Sequence, residues 1–68
     1  MKFCELIMPE VRFYLEEANF TEEERELFLR RTKDETLESC AEHMNVSVST
    51  AIRLQRKVQA KVRKLNKN

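Results

Sequence analysis

The chain has 68 residues, 41% of them hydrophobic and 37% charged, with no Gly, one Pro and no Trp. At that length it makes one small domain burying only about 60% of the surface its unfolded form exposes, and without Gly it lacks the turn chemistry of repeated hairpins, so an all-α, small three- to four-helix bundle is expected. The net charge of +1 conceals a division: residues 1–45 carry all twelve acids against six basic residues, a balance of −6, whereas residues 46–68 carry seven basic residues and no acid.

Several function classes are disfavoured at once. No apolar run approaches the roughly 18 to 20 residues of a membrane span, and the opening "MKFCELIMPE" has acids where a signal peptide needs an uninterrupted apolar stretch. A cytoplasmic chain without a membrane partner is expected. Cys4 and Cys40 are too few and too widely spaced for a disulfide framework or a CxxC site, and with His43 they fall short of four metal ligands. Cys40 reads instead as a small core residue. The single His has no nucleophile or carboxylate constellation around it, and no Gly-rich phosphate loop can exist, so neither an enzyme nor a cofactor is expected.

The first helix is predicted from Pro9, a residue suited to a first helical position, through Val11, Tyr14, Leu15 and Ala18 at i, i+3, i+4 and i+7. Phe3, Leu6 and Ile7 extend the apolar stripe upstream, either as a kinked continuation or as a separate piece. Asn19 ends the helix, since Asn tolerates the left-handed conformation. Thr21 and Glu24 have the spacing of a capping box. The helix they open places Glu22 and Glu23 near its positive end and Arg30 and Arg31 near its negative end, with Leu27 and Phe28 facing inward and Phe20 just before it.

After "TKDE", Thr36 is positioned to cap a short helix whose Leu37, Cys40, Ala41 and Met44 face the core. Asn45 breaks it, Val46 is apolar, and Ser47 caps a last helix in which Ala51, Leu54, Val58, Val62 and Leu65 form one stripe. A short helix with Ala at its fifth position, a turn four residues later and a capped second helix is a helix-turn-helix pattern. Ala41 is small where the second helix crosses close, and Val46 plugs the corner. The second helix then presents Val48, Ser49, Ile52 and Arg53 outward at its amino end.

That placement suits double-stranded DNA. Ser49 and Thr50 are sized to bond base edges or phosphates, Arg53 reaches guanine O6 and N7, and Arg56, Lys57 and Lys61 have the place of phosphate contacts. The amide ends near Thr36 and Ser47 are also suited to receiving a phosphate. The bland counterpart is a solvated basic tail on a bundle that binds only protein.

From Phe20 to Leu65, "FTEEERELFLRR" and "TLESCAEHMNVSVSTAIRLQRKVQAKVRKL" resemble region 4 of the sigma-70 family, with the LuxR-type helix-turn-helix also similar; the resemblance covers about two thirds of the chain. It implies a domain that reads the −35 promoter element and docks on RNA polymerase. It also implies base contacts from Val48, Ser49 and Arg53, and backbone contacts from Arg31, Thr36, Leu37, Thr50 and Lys57. Ile52 stands where the family usually carries Arg, Glu23 where a basic residue is frequent, and Asn45 where Gly is more common. Nothing like the promoter-melting region 2 occurs, so the resemblance implies a stand-alone regulator of the phage or mobile-element kind.

Two segments are thus expected: residues 1–19, a helical piece for packing or for pairing into a homodimer, and residues 20–68, the DNA-binding unit. The rival expectation is an adaptor that grips RNA polymerase or another regulator through the acidic helices and the Phe3 to Tyr14 surface, without DNA.

Overall fold

Residues 2–66 are described by a computed structural model. Lys67, counted in the basic segment, lies outside them. A 3-10 turn at Phe3–Glu5 precedes four helices: α1 (Met8–Glu17), α2 (Glu22–Thr32), α3 (Leu37–Met44) and α4 (Val48–Asn66). Among the described residues there is no strand, and no helix is long and apolar enough to cross a membrane.

Each helix begins where a local side chain or Pro satisfies the first-turn geometry. Pro9 lies in the first turn of α1, and the Ile7 amide donates to Glu10 Oε1 at 3.0 Å. The Thr21 box is complete: Glu24 N donates to Thr21 Oγ1 at 3.2 Å and Thr21 N to Glu24 Oε1 at 3.0 Å. Thr36 Oγ1 accepts from Ser39 N at 3.1 Å, and Ser47 Oγ accepts from Thr50 N at 3.1 Å.

The ends follow one rule. Asn19, Asp34 and Asn45 have φ of 56°, 63° and 59°, so in a chain without Gly an Asn or Asp takes the left-handed residue after α1, α2 and α3. After α3 the turn is a full Schellman motif, with Val46 N bonded to Ala41 O at 2.9 Å and Asn45 N to Glu42 O at 3.2 Å. The same motif closes α2, with Glu35 N on Arg30 O at 3.2 Å and Asp34 N on Arg31 O at 3.0 Å. Sequence reading finds Asn19 and Asn45 but not Asp34.

The core is single. α4 rests mainly on α2 and α3, and Phe28, Leu27, Cys40, Ala51 and Val58 are completely buried. Ala41 and Ala51 are buried where α3 meets α4, which keeps the two helices close. Phe28 is the hub: Phe3, Tyr14 and Phe20 place their ring centroids 5.4, 6.2 and 5.1 Å from it. The Phe3 and Tyr14 pairs are edge-to-face, and pairs of that kind add about 0.5 to 1.5 kcal/mol each beyond the area they bury, whereas Phe20 meets Phe28 at a tilt. Phe3, Val11 and Tyr14 of residues 1–19 belong to the same core as α2 and α4. Tyr14 also donates its hydroxyl to Asn66 Oδ1 at 2.7 Å, joining α1 to the last turn of α4.

Candidate nucleic-acid interface

α3, the three-residue turn Asn45–Ser47 and α4 form the helix-turn-helix. The buried residues of α4 are Ala51, Leu54, Val58 and Val62. The spacing of 3, 4 and 4 fixes one inward stripe and leaves the other side of the helix to solvent. Val48, Ser49, Ile52, Arg53, Arg56, Lys57, Arg63 and Lys64 are all exposed there, with Thr50 half-buried at the edge. Ser47 is exposed and committed locally, its Oγ donating to Thr50 Oγ1 at 3.0 Å while it accepts the Thr50 amide.

The charges on this face enter no ion pair inside the molecule among the described residues. Four ion pairs occur among the described residues, and none includes Arg53, Arg56, Lys57, Arg63 or Lys64. Like charges three or four residues apart on a helix oppose folding by about 0.2 to 0.5 kcal/mol per pair. Arg53 with Arg56, Arg53 with Lys57, Lys57 with Lys61, and Lys61 with Lys64 all have that spacing. Only Arg63 and Lys64, in the last turn, gain from the helix dipole. The arrangement costs folding energy and leaves a row of cations facing solvent.

Lys61 requires a correction. Expected on a phosphate, it instead donates from Nζ to the Asn19 carbonyl at 3.0 Å and to Glu24 Oε1, so its charge is used inside the molecule. Burial pushes the Glu24 carboxyl up. The Lys61 hydrogen bond, the Thr21 amide and the charges of Lys61 and Lys57 outweigh that and hold it below its ordinary value. Lys57 lies four residues before Lys61 and so on the same flank of α4.

The remaining expected residues lie at the α2–α3 corner. Thr36 is exposed, its hydroxyl engaged with Ser39 N, and Leu37 is half-buried against the core. Arg31 is turned to the corner itself: Nη1 donates to the Glu35 carbonyl at 2.6 Å, and Nε is buried without a partner. It fastens α2 to the start of α3 rather than reaching freely into solvent.

Glu35, which the sequence did not single out, organises this corner. It accepts from Arg30 Nη1 at 3.3 Å, from Ser39 Oγ at 3.1 Å and from His43 Nδ1 at 2.9 Å. The His43 bond leads the effects that hold its carboxyl below the ordinary value; partial burial opposes them, and Ser39 and Arg30 reinforce them. The signal available in sequence was the polar repeat Glu35, Ser39, His43 at steps of four. Ser39 and Glu35 address the same ring nitrogen, which is not the relay geometry of a hydrolytic triad, where the two partners use different nitrogens. Cys40 is completely buried, and burial raises its thiol above the ordinary value, as suits an inert core residue.

Compared with protein-family models, with curated protein sequences and with solved structures, the chain matches none.

Proposed function

We propose that the chain is a small transcriptional regulator that binds double-stranded DNA in a sequence-specific manner, with the amino end of α4 in the major groove. The observation that carries this reading is the outward face of α4: five cations without an internal ion-pair partner among the described residues, beside exposed Ser49 and half-buried Thr50, on the second helix of a helix-turn-helix. The resemblance to sigma-70 region 4 points the same way, and a cytoplasmic setting accords with the acids in the opening segment. Arg53 is the guanine-reading residue, and Arg56, Lys57, Arg63 and Lys64 neutralise phosphates. Ser47 and Thr36 cap the two helices whose amino ends face the backbone.

Selection of bound duplexes from a random pool, followed by titration at several salt concentrations, tests the reading. With about four phosphate contacts, log affinity falls with log salt at a slope near −3.6. Replacing Arg53 by Ala costs about 1 to 3 kcal/mol on the selected site and relaxes one base position. A flat salt response, or equal losses on all sequences, counts against it.

A second reading rests on a different observation. Ile7, Met8 and Phe13 are 63, 66 and 47% exposed around the start of α1, an apolar surface that the bundle does not use. In that reading the chain is a protein-binding adaptor, with RNA polymerase as the partner the resemblance suggests, or pairs with a second copy through α1. A dimer of the DNA-binding form would set two α4 helices on half-sites about 34 Å apart. Sedimentation distinguishes monomer from dimer, and DNA titration at low salt distinguishes regulator from adaptor.

A further inference from the structure

Five large hydrophobic side chains are exposed among the described residues, and two of them, Val48 at 42% and Ile52 at 39%, stand at the amino end of α4. Neither belongs to the buried stripe of that helix. Four residues apart, they are neighbours on one side, with Cβ atoms about 5 to 6 Å from each other. Their surroundings are polar or cationic: Ser47, Ser49, Arg53 and Arg56 are all exposed on the same end of the helix.

An isolated apolar pair among hydroxyls and guanidinium groups is too small and too interrupted for a protein docking patch. It has the dimensions for a different target. The major groove of DNA offers an apolar group at each thymine, the C5 methyl, with anionic backbone on either side, and the flanking cations of α4 match that backbone. Resting on the DNA-binding reading of α4, we infer that Val48 and Ile52 form a paired reader of pyrimidine C5-methyl groups. The preferred duplex then carries thymine at the one or two base positions facing them, beside the base read by Arg53. Four residues of helix rise about 6 Å, close to two base steps of about 3.4 Å, so both side chains reach methyls within a step or two of each other.

The test acts first on the DNA. Duplexes enriched by the full chain from a random pool are remade with deoxyuridine in place of each thymidine in turn, which removes only the methyl group. At one or two neighbouring positions affinity falls about three- to fivefold per methyl, and elsewhere it is unchanged. Ile52→Ala and Val48→Ala bind the thymine and uracil duplexes equally at those positions; both side chains are exposed, and circular dichroism checks that the helices persist. Selective binding that tolerates uracil at every position overturns the methyl-reading inference while leaving DNA recognition intact. Failure to enrich any sequence overturns the DNA-binding reading and this inference with it.

Discussion

α2 and α4 carry more charged residues than the other helices, seven and six, and they differ in how far those charges are paired inside the molecule. On α2, Glu24 closes its own cap and holds Lys61, Glu26 pairs with Arg30, and Arg30 reaches Glu35. On α4, Lys61 is spent on the fold while Arg53, Arg56, Lys57, Arg63 and Lys64 enter no ion pair among the described residues. Charge that has been satisfied inside the molecule explains stability. Charge left over at an energetic cost points outward to solvent, and α4 carries more of it, all of one sign, than any other helix of the molecule.

The comparison breaks most visibly if the outer cations are removed together. Replacing Arg56, Lys57, Arg63 and Lys64 by Gln should abolish most of the salt sensitivity; the unaltered chain should lose about 100-fold in DNA affinity between roughly 50 and 200 mM salt, and the variant only a few-fold. Its thermal midpoint should change little, because relief of like-charge repulsion is offset by the loss of the dipole contacts of Arg63 and Lys64. Lys61→Ala should do the reverse. It leaves the buried Glu24 carboxylate without its cation, lowering stability by about 1 to 3 kcal/mol in urea unfolding, while the salt slope of DNA binding stays unchanged.

The smallest expected effect is acid dependence. Glu24 and Glu35 are both held below the ordinary carboxylate value of 4.5 in the folded chain. Their stabilising contribution is therefore fully present above that value and is lost as pH falls through the lower folded-state value. Glu35→Gln should flatten part of this acid-side decline, as followed by circular dichroism over a series of pH values.

What could be read in the sequence was what is decided locally. Thr21, Thr36 and Ser47 cap helices because their partners lie three residues away, and Asn19 and Asn45 end helices through their own backbone preference. Asp34 does the same but was hidden in a charged run where its neighbours gave no periodic signal. Long-range pairings were not legible. Lys61 has the spacing of a solvent-facing cation, and only the fold brings Glu24 and Asn19 to it from 37 and 42 residues away. Phe3 likewise is an upstream apolar residue in sequence and a core ring in space, set edge-on to Phe28. Arg31 carries the charge of a phosphate ligand, but its hydrogen bond to the Glu35 carbonyl is a product of the closing turn.

The hydroxyl bond from Tyr14 to Asn66 has a practical consequence. This is the single tyrosine of a chain that has no tryptophan, so ultraviolet emission from the protein comes from one buried ring at the seam between the first and last helices. Separation of that seam releases the phenol to water and alters its fluorescence, giving the molecule an intrinsic, label-free reporter on the join between its two ends.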